Sequence, residues 1–142
     1  MTEVPENAVE LAMYFEGFRS RVYRCPGGYW TIGFGSRCSK DHPPITREEG
    51  QELLARDLQN ALRGTIRVCP VLVSVSKNWL GSIVDFTFNL GVGRLQNSTL
   101  RRKINAEDWD VVPGELRKWV FAGGKKLNGL VARREAEALF FS

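Results

Sequence analysis

Residues 16–35 constrain the fold of this chain more than any other stretch. An apolar pattern with helical spacing ends at Glu16, Cys25 opens a Pro-Gly-Gly turn, and Thr31 lies on the aromatic, β-branched run that follows. This order predicts a helix, a strand, a tight turn and a second strand. A hairpin folded back on the end of a helix would bring an acid, a thiol and a hydroxyl around one cleft.

Apolar periodicity predicts helices along most of the chain. A first helix is expected over about 5–18. Thr46 and Glu49 form a capping box ahead of a helix over about 47–68, which Pro70 ends. At 1.5 Å per residue, that helix would extend roughly 30 Å, long enough to join two lobes.

The second half of the chain is predicted to hold the larger core. Residues 77–90 are apolar on more than one face, which is typical of a buried central helix. Ser98 is expected to cap a further helix, and two more are expected over about 115–120 and 130–140. Phe121 is expected among the core aromatics.

The composition limits the class of protein. A chain of 142 residues can form one domain with a sizeable core, and 43% hydrophobic and 25% charged residues are ordinary for a soluble globular protein. No apolar stretch approaches the roughly 18 residues of a membrane span. Residues 1–7 lack the basic start and the apolar run of a secretory signal.

Several separated blocks of the sequence resemble the phage-type lysozymes, the endolysin family. In residues 16–35, a Glu, then an Asp or Cys, then a Thr recur in that family at the spacings of nine and six residues found here. The blocks 85–93, 119–124 and 129–135 follow in the same order. The resemblance implies a muramidase that cleaves between N-acetylmuramic acid and N-acetylglucosamine without a cofactor.

The resemblance also implies a lysozyme-like fold. We expect a mostly helical α+β fold in a single domain over residues 1–142. A small lobe over about 15–68 would hold the β-hairpin, and the long helix would join it to a larger helical lobe made of 1–14 and 69–142.

In this resemblance, the first block supplies the catalytic residues. Glu16 would protonate the leaving oxygen, since partial burial favours the protonated carboxyl. Cys25 stands where many members of the family have Asp. Arg21 and Arg24 could favour its thiolate form. The thiolate would either activate a water, with inversion at the anomeric carbon, or attack the sugar directly, with retention, and we favour the first. Thr31 would position the attacking water.

Substrate contacts are expected from Phe34, Phe88 and Asn89, the last two of which match the Phe-Asn pair that lines the cleft in similar proteins. An amide can bond an N-acetyl group, and an aromatic ring can pack on a sugar face. Gly33 and Gly35 are expected to leave room for a sugar near the backbone.

Two features near these residues stay open. Relatives usually continue Gly-His-Thr where this chain reads Gly35-Ser36-Arg37, which puts the support of the hairpin in doubt. Arg133 and Arg134 either pair with acids near the cleft or form a solvated face.

Three other interpretations compete with the muramidase. Cys25 with the single histidine, His42, is the minimum for a cysteine hydrolase, although no Cys-protease motif accompanies them. A zinc site would need His42 and the three cysteines, but there is no Cys-x2-Cys pair, and no metal is expected. The third is a basic module that binds cell-wall polymers or nucleic acid without cleaving them; residues 72–142 carry 11 Lys and Arg against 7 Asp and Glu.

The expected partner is bacterial peptidoglycan, bound by a monomer without nucleic acid or stable membrane association. The resemblance implies synthesis in the host bacterial cytoplasm and action on the wall in the periplasm, reached through a separate membrane hole or after removal of an N-terminal signal-anchor. Cys25 and Cys38 are the only local disulfide option, and such a bridge would consume the proposed catalytic thiol.

Overall fold

The structure, a computed structural model, describes residues 2–142 and has the expected mostly helical α+β architecture. Short 3-10 turns lie at Pro70–Ser74 and Trp109–Val111. The regular elements, in chain order, are α1 (Glu6–Glu16), β1 (Arg19–Arg24), β2 (Trp30–Gly33), β3 (Ser36–Arg37), α2 (Arg47–Val68), α3 (Lys77–Leu90), α4 (Val92–Gln96), α5 (Thr99–Asn105), α6 (Val112–Leu116), β4 (Phe121–Ala122), β5 (Lys125–Lys126) and α7 (Asn128–Leu139).

A glycine switches the chain from α1 into the first sheet. Gly17 follows the last residue of α1, has a φ of +67°, and donates its N–H to the Met13 carbonyl at 3.1 Å. Only glycine adopts such a backbone at little cost, so the helix ends there and the next residues turn away as β1. The antiparallel sheet then runs in the order β1-β2-β3.

The long helix α2 begins with the predicted capping box. The Thr46 hydroxyl accepts the Glu49 N–H at 3.1 Å, and the Glu49 carboxylate accepts the Thr46 N–H at 2.9 Å. The helix packs against β2 and β3 and also against α3. The division of the chain into two lobes joined by this helix stays a prediction.

The buried central helix α3 has the predicted bounds, and Ser76 caps it by accepting the Asn78 N–H. It packs against α1, α2 and α7. Residues 80–87 of this helix are all buried, and they include one carboxylate, Asp85. The predicted cap at Ser98 is also confirmed, because its hydroxyl accepts the Arg101 N–H at 2.9 Å.

The prediction for residues 115–120 was wrong. Helix α6 lies earlier, with Pro113 in its first turn, a position where the missing N–H costs nothing. Residues 121–126 instead form the hairpin β4–β5 around Gly123 and Gly124, and Phe121 is 58% exposed rather than in the core. Within residues 2–142, no helix has the length and apolar character to span a membrane.

Candidate active site

The carboxyl of Glu16 lies against the backbone of Gly35. Glu16 is the last residue of α1, and its side chain is 22% exposed. A Cβ built on Gly35 would lie 2.6 Å from Glu16 Oε1, and Gly35 has a φ of +86°. Glycine at this turn therefore lets the hairpin close over the acid.

The expectation that a glycine leaves room for a sugar is wrong for Gly33 and stays a prediction for Gly35, which also lines a cavity. The space beside Gly35 is occupied by the Glu16 carboxyl. A Cβ on Gly33 would lie 3.3 Å from the Cα of Gly50, so Gly33 lets β2 pack closely on α2. Both glycines serve contacts within the protein.

Arg133 joins three helices through two carboxylates. From α7, its Nε and Nη2 donate to Asp85 Oδ2 and Oδ1 of α3 at 2.9 and 2.7 Å, and its Nη1 donates to Glu16 Oε2 at 2.7 Å. Arg133 and Asp85 are both buried. Of the two alternatives for Arg133, pairing with an acid is therefore the correct one.

A second buried pair lies beside this fork. Arg134 donates from Nη2 to Glu137 at 2.9 Å and to Asn89 Oδ1 at 2.8 Å. Arg134 and Glu137 are fully buried, so the alternative of a solvated face is wrong for Arg134 as well.

The charges in this cluster shift one another's pKa. Burial works to raise the pKa of Asp85, but hydrogen bonds from Arg133 and Glu137 and the charges of the arginines outweigh it and lower the pKa. Burial raises the pKa of Glu137 well above its usual range, and neighbouring Asp85 adds to the shift. Asp85 is therefore the charged partner of Arg133, and Glu137 is the carboxyl that more readily carries a proton.

Cys25 and Thr31 are neighbours at the end of the hairpin. Slight burial works to raise the pKa of the Cys25 thiol, but hydrogen bonding with the Tyr29 backbone, the Thr31 hydroxyl and the turn backbone outweighs it and lowers the pKa. Arg24 was expected to favour the Cys25 thiolate, but its guanidinium instead donates to the Gly28 carbonyl and stacks on Trp30.

The Thr31 hydroxyl has one proton, which either the Tyr29 carbonyl or the Cys25 sulfur can accept. The side chain is 3% exposed, and its Oγ1 donates to the Tyr29 carbonyl at 2.9 Å. The same hydroxyl helps to lower the pKa of the Cys25 thiol, which requires it to donate to the sulfur instead. A thiolate at Cys25 would compete with the Tyr29 carbonyl for the proton.

Tyr23 is a further titratable residue near Glu16 and the hairpin turn, and no pattern in the sequence indicated a role for it. It lies opposite Thr31 in the register of β1 and β2. Burial raises the pKa of its phenol, the negative charge of Glu16 raises it further, and Cys25 adds to the shift. Tyr23 therefore pairs with Thr31 in the sheet, and its pKa responds to both Glu16 and Cys25.

The predicted substrate contacts have different surroundings. Phe34 is 1% exposed and packs on Phe18 with ring centroids 5.3 Å apart, so its ring belongs to the core and cannot touch a ligand. Phe88 is half-buried and lines a cavity of about 380 Å³ together with Gly35, Arg37, Asp57, Asn60, Ala61, Thr87 and Val92. Asn89 is half-buried, and its amide oxygen is taken by Arg134.

A serine supports the hairpin where relatives usually have histidine. Ser36 donates to Asp57 Oδ2 at 2.6 Å, which ties β3 to α2. Partial burial raises the pKa of Asp57 despite this hydrogen bond. The departure from the family pattern therefore keeps a polar contact between the hairpin and the long helix.

The other titratable groups lie elsewhere. His42 is in a loop, with Nδ1 2.8 Å from the carbonyl of Pro43. All three cysteines are free, and burial raises the pKa of Cys69 to about 11. Across residues 2–142, no three His, Cys, Asp or Glu side chains are grouped so that they could hold a metal ion.

Comparison with known proteins shows which family this chain belongs to. Residues 13–137 match the family model described as phage lysozyme. An endolysin of Bacillus phage B103 is 34% identical over 142 residues, covering 97% of this chain and 53% of the relative, so the chain spans about half of its length. A SAR-endolysin of Bacteriophage PS34 is 36% identical over 126 residues, covering 86% of this chain and 73% of the relative.

A solved structure shares the fold. The muramidase domain of SpmX from Asticaccaulis excentricus superposes with a TM-score of 0.88 at 25% identity, covering 99% of this chain and 98% of that chain. This likeness confirms the predicted fold class.

Asp85→Asn should strongly destabilise the protein, because it leaves Arg133 buried without its principal counter-charge. We expect the free energy of unfolding at neutral pH, measured by urea denaturation, to fall by about 3–5 kcal/mol. The folded state lowers the pKa of Asp85. Its contribution is therefore lost as pH falls through that pKa, and the gap between variant and wild type should narrow in acid.

The matched control is Asp110→Asn, which removes the same charge from an exposed site. It should unfold close to wild type. Equal stability of Asp85→Asn and Asp110→Asn would show that the Arg133 fork does not depend on Asp85.

Proposed function

Because the chain belongs to the phage lysozyme family, we propose that it is a muramidase that hydrolyses the β-1,4 bond between N-acetylmuramic acid and N-acetylglucosamine in peptidoglycan. The main support for this proposal is the position of the Glu16 carboxyl. It is bound by Arg133 and lies against Gly35, beside a hairpin that carries Cys25 and Thr31. These groups match the acid, thiol and hydroxyl expected on either side of a scissile bond.

Glu16 is the proposed general acid. Arg133 occupies its Oε2, whereas Oε1 lies against the Gly35 backbone and has no arginine partner among the described residues. We assign the proton to Oε1, from which it would pass to the glycosidic oxygen as the bond breaks. Because Asp85 accepts hydrogen bonds from two of the three guanidinium nitrogens of Arg133, the guanidinium positions Glu16 while most of its charge is offset by Asp85.

Cys25 is the proposed base. The lowered pKa of the thiol increases the thiolate fraction near neutral pH. In this proposal, the thiolate takes a proton from a water that Thr31 orients, and the oxygen attacks the anomeric carbon from the face opposite Glu16, with inversion.

Phe88 and Asn89 are the proposed substrate contacts. Phe88 lines a cavity that Gly35 also borders, so a sugar packed on its ring would lie near the proposed acid. The Asn89 amide oxygen is held by Arg134, which leaves its N–H groups for an N-acetyl carbonyl. Phe34 would act only indirectly, by packing under the turn that carries Gly35.

The partner in this proposal is bacterial peptidoglycan, and cleavage of it leads to lysis of the host cell. The chain would act as a monomer, in one domain and without a cofactor. We place its action at the wall in the periplasm, after synthesis in the host cytoplasm.

Glu16→Gln should abolish cleavage, because the amide keeps the side-chain volume but has no proton to give. We expect at least about a 100-fold fall in the release of reducing ends from purified peptidoglycan. Glu10→Gln, an exposed position of the same helix, is the control and should act like wild type. Full activity of Glu16→Gln would eliminate the acid assignment, and absence of new reducing ends from wild type would indicate a binding module.

Gly35→Ala should inactivate the enzyme by displacing the Glu16 carboxyl. Gly124→Ala is the control, since Gly124 also has a positive φ, +78°, but its added Cβ meets no atom within 4 Å. The positive φ should cost each variant about 1–2 kcal/mol of stability, Gly35→Ala should lose more because it displaces the carboxyl that Arg133 holds, and only Gly35→Ala should lose activity. Similar activity in the two variants would separate Gly35 from the acid.

The product anomer distinguishes the two roles of Cys25. If the thiolate activates water, NMR of the initial product should show the α-anomer, which is inverted from the β-linkage. Thr31→Ala should slow the reaction strongly without changing the anomer. A β-anomer as the first product would mean that Cys25 attacks the sugar directly.

A further inference from the structure

The segment that forms the three-stranded sheet concentrates positive charge. Residues 17–40 contain no Asp or Glu, although the whole chain has 16. The same segment holds five cations: Arg19, Arg21, Arg24, Arg37 and Lys40. The net charge of this segment therefore exceeds the +4 of the whole chain. Positive and negative charges balance over the first half of the sequence as a whole, so this local excess is not visible there.

These five cations are exposed, and none makes an ion pair within residues 2–142. Aromatic rings hold most of them instead. The Arg37 guanidinium lies 3.8 Å from the Tyr29 ring centroid, and that of Arg19 lies 4.4 Å from the Tyr23 ring centroid. A guanidinium lying over a ring keeps N–H groups free for a carboxylate, and its restrained side chain loses less entropy on binding.

Two of the cations, Arg37 and Arg19, are connected to Thr31 through the strand register and through Tyr23. In the strand register, Arg37 is directly opposite Thr31, and Arg19 is opposite Gly33. The register of β1 is irregular between Arg19 and Tyr23, but the Arg19 guanidinium lies over the Tyr23 ring, and Tyr23 is the other register partner of Thr31. Arg37 also lines the cavity that contains Phe88. Arg37 therefore borders the proposed cleft directly, and Arg19 is connected to it through Tyr23.

We propose that Arg19 and Arg37 bind free carboxylates of the peptides attached to the glycan strand, so that the enzyme selects peptide-bearing, anionic peptidoglycan. This inference rests on the proposed function. The fork of a guanidinium matches a carboxylate in shape and charge. A strand threaded past Phe88 and Thr31 would carry its peptide carboxylates past both arginines.

The surroundings favour this ligand over a nucleic acid. Proteins that bind single-stranded nucleic acids offer free aromatic faces on which bases stack. Here Tyr23 and Tyr29 each already have a guanidinium on one face. What the sheet presents to a ligand is a pair of forked cations beside a sugar-sized cavity.

The test combines a change in the protein with a matching change in the substrate. The variant is Arg19→Gln/Arg37→Gln, and the control is Lys125→Gln/Lys126→Gln, which removes the same charge from exposed residues of β5. Each protein is assayed on native peptidoglycan and on peptidoglycan whose carboxylates have been converted to neutral amides with carbodiimide and ethanolamine.

For wild type and for the lysine control, amidation should raise KM about tenfold at low salt and leave kcat nearly unchanged. The arginine variant should show the raised KM on native substrate and no further change on amidated substrate. An equal response to amidation in wild type and arginine variant would overturn the inference, as would an equal loss in the lysine control, which would indicate net charge alone.

Binding measurements separate this inference from the proposed function. Glu16→Gln, alone or with the arginine substitutions, is sedimented with native and with amidated peptidoglycan. Carboxylate-dependent binding that requires the arginines would support the inference even if no protein released reducing ends, which would overturn only the muramidase. If the arginine substitutions weaken sedimentation with phosphatidylglycerol–phosphatidylcholine vesicles and leave peptidoglycan kinetics unchanged, the surface binds membranes and the inference is wrong.

Discussion

The guanidinium of Arg133 is the interaction on which the candidate site depends. It comes from α7, takes two hydrogen bonds to Asp85 of α3, and uses its remaining terminal nitrogen to hold Glu16 at the end of α1. Burying a cation is costly unless opposite charge and hydrogen bonds compensate it. Asp85 supplies most of that compensation, which frees Arg133 to fix the orientation of Glu16. The packing of three helices and the placement of the acid are therefore one arrangement.

Close backbone approaches, rather than large side chains, bring the hairpin onto this arrangement. Gly35 lies against the Glu16 carboxyl, and Gly33 lies against Gly50 of the long helix. The hydrogen bond between Ser36 and Asp57 adds a polar tie between β3 and α2. With the sheet anchored in this way, its arginines make no ion pairs within residues 2–142, and aromatic rings orient Arg19 and Arg37.

Local signals in the sequence predicted the helices α2 and α3 correctly. The capping box of α2 and the apolar run of α3 gave the observed bounds, because each is encoded within a few turns of helix. The hairpin β4–β5 was missed because strands of two residues are too short to show alternation. Its Gly123-Gly124 pair was the available signal, since two glycines are typical of a tight hairpin loop.

The candidate site divides in the same way. Spacing within one segment predicted the turn at Cys25 and the strand that carries Thr31. It could not predict the partners of Glu16. Arg133 is 117 residues from Glu16 and 48 from Asp85, and no periodicity connects positions so far apart. One clue was present: Asp85 is the only charged residue in the apolar-rich stretch 80–90, and a buried carboxylate usually has a cation as its partner.

The separation between Glu16 and Arg133 also sets when the site can exist during biosynthesis. The hairpin leaves the ribosome early, but the arginine that orients the acid lies on the last helix that the structure describes. Until α7 has emerged and docked, a nascent chain holds the acid, thiol and hydroxyl without the guanidinium that arranges them. Assembly of this centre is thus postponed until α7 has been synthesised, and nascent chains that stop before α7 lack it.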